Sequence, residues 1–207
     1  MDFKKEMQDS IKRFSNKYPT SSFKNRDIYA DWLSQTYHFV KHSTTLLGYS
    51  LPYLKEADIK RRFEDHMKEE DRHDMIALKD LEKLGYNINQ FEEYSETQAF
   101  YHSQYYRIAF EGGTSLLGYI LFLEYLAVTW AKDCYEEIKD SYKGATLFLK
   151  VHAEEDPHHV VEAIKVIEKL SPKEQEAILR NLKFTEEVYG QMMAHILENA
   201  DVQKQAA

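Results

Sequence analysis

Between Ser115 and Ala131 the chain reads Ser-Leu-Leu-Gly-Tyr-Ile-Leu-Phe-Leu-Glu-Tyr-Leu-Ala-Val-Thr-Trp-Ala. A helix that is apolar on nearly every side must be covered on nearly every side, so this segment belongs at the centre of a bundle. Shorter than the ~20 residues of a usual membrane span and carrying an acid, it is read as a core helix rather than a bilayer helix. Its only charge is Glu124. An ionised carboxylate there is costly unless it is paired, hydrogen-bonded or bound to a metal. Tyr119, Tyr125 and Arg107 are the conceivable structural partners, and a metal is the alternative.

Apolar residues elsewhere recur mostly at helical spacing, and seven glycines and four prolines leave little punctuation. The expected fold is therefore all-α, with about seven helices in a single domain covering residues 1–207. Helices are expected over 3–18, 27–49, 55–84, 95–110, 115–131, a sixth stretch after Lys143-Gly144 that carries residues 152–159, and 171–199, with a frayed tail over 200–207. Gly85 supplies a C-terminal stop, and Ser95-Glu-Thr-Gln98 and Ser171-Pro-Lys-Glu174 fit capping boxes. Pro157 is expected inside a kinked but continuous helix.

The chemistry concentrates in Val151-His-Ala-Glu-Glu-Asp-Pro-His-His159, set between apolar flanks. At about 100° per residue, His152, Asp156 and His159 share one helix face. The lettering His-x-x-Glu-acid-x-x-His occurs also at 66–73, placing His66, Glu70 and His73 on a second face. The plain alternative is two solvated faces, since His, Glu and Asp usually sit outside. Mixed imidazole and carboxylate donors without thiolates suit iron or manganese, with zinc possible. Ferritin-like bundles build such sites from Glu-x-x-His pairs and single glutamates. Glu70-x-x-His73 matches that pattern and Asp156-x-x-His159 is a shortened version, but the histidine four residues before each acid does not belong to it.

Composition narrows the remaining classes. A net charge of −8 argues against a nucleic-acid partner, which wants a basic stripe. The first ten residues have acids and no apolar run, so neither a secretory signal nor a transit peptide is expected, nor a membrane anchor, and the expected location is the cytoplasm. One cysteine, Cys134, fits a reducing compartment.

Taken together, Glu70 and His73, then Glu124, then His152, Asp156 and His159, in that order, resemble the heme-oxygenase-like di-iron oxidases and oxygenases, the iron-containing redox enzymes. Gln35-Thr-Tyr-His-Phe-Val-Lys-His42, Lys79-Asp-Leu-Glu-Lys-Leu-Gly85 and Val151-His-Ala-Glu-Glu-Asp-Pro-His158 also look like that family's phrases. The resemblance implies a heme-oxygenase-like helical bundle with two iron ions (manganese as the other option) on those six residues. It further implies dioxygen as co-substrate, an external electron donor and a small amine- or carboxylate-containing substrate. Several members carry a carboxylate seven residues before the first histidine, where this chain has His66, so His66 stands as an additional or alternative ligand. The stripe Tyr101, Tyr105, Tyr106 and Phe110 is a candidate pocket lining, although most such stripes are core. Two further readings stay open: a heme-binding or heme-degrading protein of the same fold using His38 or His42, and a non-catalytic interaction protein, with a homodimer through an exposed apolar face. The thiaminase-like branch of the fold would need Cys134 as nucleophile.

Overall fold

The computed structural model describes the backbone of residues 2–206 and the side chains of residues 2–154 and 159–201. Among the described residues there is no strand. The α-helices are α1 (Phe3–Lys17), α2 (Arg26–Val40), α3 (Ser43–Ser50), α4 (Ala57–Glu69), α5 (His73–Lys83), α6 (Ser95–Glu111), α7 (Leu116–Leu126), α8 (Lys132–Ile138), α9 (Leu147–Ile167) and α10 (Pro172–Ala206). Three of the seven expected rods are each divided in two. The rod over 27–49 turns at Lys41–His42, and the rod over 55–84 breaks between α4 and α5. Neither break falls at glycine or proline. At the second, Arg72 takes the left-handed conformation (φ 67°, ψ 16°) that only glycine adopts freely.

The third division is a widened turn. Between α7 and α8 the residues Ala127–Ala131 form a π-helix, and the hydroxyl of Thr129 donates to the carbonyl of Tyr125 at 2.5 Å. Helix thus continues past the expected end at Ala131, and Gly113–Ile138 is long and apolar enough to cross a bilayer. Its most apolar window is nevertheless 72% buried inside the bundle. The apolar surface is already consumed by protein, as expected of a core helix.

α7 packs against α1, α6, α9 and α10. Its approach to α10 is possible because of Gly118: a Cβ there would lie 2.2 Å from the carbonyl oxygen of Ile178 and 2.8 Å from the nitrogen of Leu182. Around this centre sits an aromatic core in which Phe14 meets Trp130 edge-on at 5.2 Å. The indole nitrogens of Trp130 and Trp32 donate to the Tyr18 carbonyl (2.7 Å) and the Tyr189 hydroxyl (2.8 Å), so burying these rings leaves neither donor orphaned.

Buried polar side chains fix how the helices join. Gln35 on α2 accepts from the backbone N–H of Tyr94 at 3.1 Å and from the Thr97 hydroxyl at 2.7 Å. With Gln35 holding that turn, α6 begins after Tyr94, and Ser95 lies inside the helix with its hydroxyl 3.3 Å from Glu96. The capping box expected at Ser95–Gln98 is therefore not formed. The one at Ser171–Glu174 is: the Ser171 backbone N–H donates to Glu174 Oε2 at 3.1 Å, and the Glu174 N–H to the Ser171 hydroxyl at 3.4 Å. The N-terminus of α9 has no side-chain cap of its own. Asp80, wholly buried on α5, fills that role by accepting from the Phe148 N–H at 2.8 Å. α9 runs unbroken through Pro157, as expected, and α10 runs on to Ala206, past the expected end at Asn199.

Candidate metal centre

Four segments bring imidazoles and carboxylates together in the interior. His66 comes from α4, Glu70 from its C-terminal cap, His73 from the first turn of α5, Glu124 from α7, and His152 and His159 from α9. They form two groups, His66–Glu124–His159 and Glu70–His73–His152, in each of which one donor atom per residue lies within 4.8 Å of the others. In the first, Glu124 Oε1 is 3.8 Å from His66 Nε2 and 3.7 Å from His159 Nδ1. In the second, Glu70 Oε2 is 3.8 Å from His73 Nδ1, and the rings of His73 and His152 meet nearly perpendicular at 4.9 Å. His66 Nε2 to Glu70 Oε1, 3.5 Å, joins the two groups.

The donor set fits a metal of the iron type. Donors 3.7–3.8 Å apart are closer than two metal–ligand bonds of ~2.1 Å laid end to end, so each such pair can hold one ion between them. Nitrogen and oxygen without sulfur is the donor chemistry of iron and manganese. His152 is already oriented: its Nδ1 donates to the Phe148 carbonyl at 2.8 Å, which leaves Nε2 as the lone-pair nitrogen. The Glu69 carboxylate, missed in the sequence, stands 3.4 Å from His159 Nε2, the nitrogen opposite the one facing Glu124. Its signal was its place as the Glu of the His-x-x-Glu-acid-x-x-His lettering.

The charges are mutually compensated. Burial raises the Glu70 carboxyl, but the neighbouring imidazoles, His66 first, outweigh this and hold it down to about 2. For His66 burial works against the charged ring, and Glu70 and Glu124 overcome it, raising its pKa above the usual 6.5. Binding a cation there displaces protons rather than filling a neutral hole.

Of the expected ligands, Glu70, His73, Glu124, His152 and His159 fall within the two groups, and His66 lies in one of them while Glu70 lies in the other. Asp156 lies outside the described residues. Glu124 is not the partner of Arg107, whose guanidinium holds Glu111 at 3.2 Å and covers the Phe184 ring.

A cavity of about 100 Å³ opens beside the groups, with His66, Glu70, Glu124 and His152 on its wall and Leu46, Ile120, Leu123 and Phe148 among its apolar lining. The expected aromatic lining is corrected: none of Tyr101, Tyr105, Tyr106 and Phe110 reaches it. Tyr101 stacks on His42 at 3.9 Å, and Tyr106 and Phe110 are 62% and 75% exposed. α6 turns that stripe away from α7, and Thr36, Ser43, Tyr119 and Tyr189 bring hydroxyls to the wall instead. Neither His38 nor His42 lines the cavity. Cys134 is fully buried away from it, and burial pushes its thiol pKa far up, which disfavours the thiolate a nucleophile needs.

Comparison with known proteins adds an independent line. Residues 30–190 match the family described as iron-containing redox enzyme. Comparison with curated proteins found no match. Among solved structures, a domain of unknown function with a heme oxygenase-like fold from Shewanella denitrificans superposes with a TM-score of 0.78 at 16% identity, covering 100% of this chain and 97% of that one. A TenA homolog from Pseudomonas syringae pv. tomato superposes with a TM-score of 0.70 at 14% identity, covering 84% of this chain and 80% of that one. At those identities the likeness is one of fold, which is heme oxygenase-like.

Proposed function

The chain belongs to the family of iron-containing redox enzymes, and from that premise we propose that it is a non-heme di-iron oxidase or oxygenase. In this reading it uses dioxygen and an external electron donor to oxidise a small amine- or carboxylate-containing metabolite. The observation that carries the reading is the pair of His/carboxylate groups, joined through His66 and Glu70, at the wall of an apolar cavity.

His66, Glu124 and His159 would hold one ion and Glu70, His73 and His152 the other, with Asp156 a further ligand. Iron held by these residues would supply the redox chemistry toward dioxygen that protein side chains lack. The chain's own contribution is positional. The hydrogen bond from His152 Nδ1 to Phe148 keeps that ring in one tautomer. Glu69 beside His159 Nε2 favours a proton on that nitrogen and leaves Nδ1 to the ion. The apolar wall from α3, α7 and α9 excludes water from the reacting face.

The test is anaerobic titration with ferrous iron followed by exposure to dioxygen. About two irons per chain and a transient absorbing species are expected. One iron or none, with no dioxygen uptake, overturns the reading. Glu124→Ala is expected to lower the iron stoichiometry, and unchanged binding in that variant removes Glu124 from the site.

A further inference from the structure

Tyr119 sits on α7 with its hydroxyl wholly inside the protein and its ring packed against Phe100 at a centroid distance of 4.8 Å. Among the described residues that hydroxyl has no hydrogen-bond partner, and Tyr119 lines the cavity beside the donor groups. The Thr36 hydroxyl, on the same wall from α2, is also buried without a partner. A buried hydroxyl left unmade costs about 1–3 kcal/mol, and folded proteins seldom tolerate one without a use for it. The two do not weigh equally. A threonine rotor can turn back to a carbonyl of its own helix, as Thr129 does here, whereas a tyrosine oxygen is carried by its ring far from its own backbone. Ser115 and Thr185 also keep buried unpartnered hydroxyls, but neither lines the cavity. Tyr119 is therefore the more informative of the pair.

The rest of the wall limits what that hydroxyl can meet. Among the described residues no lysine or arginine lines the cavity, and its ionisable groups other than tyrosine are His66, Glu70, Glu124 and His152. Burial, with the Glu70 carboxylate nearby, drives the Tyr119 pKa well above 10, so it stays protonated and donates. An anion beyond the donor groups would be buried with no cation to neutralise it, and an ammonium could only donate to the Tyr119 oxygen, leaving the phenolic hydrogen unmade.

We infer that the cavity takes a compact, uncharged aliphatic group bearing one oxygen acceptor, a ketone, ether or alcohol oxygen, which receives the Tyr119 hydroxyl with Thr36 as a second contact. This rests on the reading of the cavity as the substrate chamber. The amine or carboxylate of the substrate stays on the side of the His/Glu groups, and the part reaching past Tyr119 is neutral. About 100 Å³ is less than the ~150 Å³ of an apolar cavity that holds benzene, which limits the group to roughly five heavy atoms.

The experiment compares two probes of nearly equal shape, 2-butanone and 2-methyl-1-butene, with sec-butylammonium as the charged control. Each is titrated by protein-observed NMR into the full-length protein, metal-free and loaded anaerobically with ferrous iron. Tyr119→Phe is expected to weaken 2-butanone about five- to tenfold and to leave 2-methyl-1-butene unchanged or tighter. The difference between probes isolates the hydroxyl contact from any general change in packing. Thr36→Val is expected to act in the same direction with a smaller effect, which keeps the test open should the tyrosine variant misfold. Equal changes for both probes, a loss of sec-butylammonium affinity in Tyr119→Phe as large as that of 2-butanone, or no probe binding at all overturns the inference, the last meaning that the hydroxyls serve only water. The oxidase reading is judged separately by iron count and dioxygen uptake. Discrimination by Tyr119 in a chain that takes no iron sinks that reading and leaves the ligand class standing, while the reverse result sinks the ligand class alone.

Discussion

Asp80 Oδ2 accepts the backbone N–H of Phe148 at 2.8 Å, so the helix that carries His73 caps the helix that carries His152 and His159. Removing the acceptor leaves a buried N–H unmade at the start of α9. Asp80→Ala is expected to destabilise the fold by about 1–3 kcal/mol, read as a lowered midpoint in urea unfolding.

The same carboxyl makes stability depend on pH. Burial pushes Asp80 up to about 6 from 3.8, against the opposing pull of the Phe148 N–H and Lys83. The folded chain therefore binds this proton more tightly than the unfolded chain. Stability from this group is present in full below about pH 4 and is lost as pH rises toward 6. The loss is at most about 3 kcal/mol, and less to the extent that the Lys83 ammonium and water screen the charge. Asp80→Asn keeps an oxygen for Phe148 and removes the titration. Its stability relative to the unsubstituted protein is expected to climb between pH 4 and 6 and level off above, and a difference that is flat with pH would contradict this.

Gly118 lets α7 and α10 touch. A methyl group placed 2.2 Å from the Ile178 carbonyl oxygen forces the helices apart, and backbone cannot yield as a flexible side chain would. Gly118→Ala is expected to cost at least about 1–3 kcal/mol despite alanine's better helix propensity, seen as a fall of several degrees in Tm. An unchanged Tm would mean that the two helices slide without loss.

Arg72 is exposed, so replacing it disturbs no packing, and its positive φ is what the substitution tests. Arg72→Gly is expected to be neutral or to stabilise by up to about 1 kcal/mol. Arg72→Val, whose branched Cβ resists that conformation, is expected to destabilise by more than 1 kcal/mol. Thermal denaturation of the two variants side by side decides it.

Ligation of two donor groups that exist only in the folded chain raises stability by linkage. Ferrous iron at about a hundred times its Kd adds roughly 2.7 kcal/mol per site, or about 5–10 °C in Tm for a chain of this size. Chelation is expected to reverse the gain, and Glu124→Gln to reduce it. A Tm indifferent to iron would count against a resident metal.

The helical class, the central place of α7 and five of the residues in the two donor groups were legible in the sequence because each rests on short-range pattern: apolar periodicity, or donors spaced four and three apart on one turn-matched face. What was not legible depends on distant partners. The breaks at Lys41–His42 and Arg72 fall on residues that carry no stop signal. Ser95-Glu-Thr-Gln98 has the letters of a capping box, yet Gln35, distant in sequence, fixes that turn instead. The stripe from Tyr101 to Phe110 has the right spacing for a pocket, but spacing cannot say which side α6 presents to α7. His66 was readable as a donor beside Glu70, though not its place with Glu124 and His159 as well.

Each donor group takes a member from α9: His159 completes the first and His152 the second. During synthesis the ribosome releases His66, Glu70, His73 and Glu124 well before residues 147–167 emerge. A nascent chain at that stage has neither trio whole, and neither can close until the final third of the polypeptide has docked.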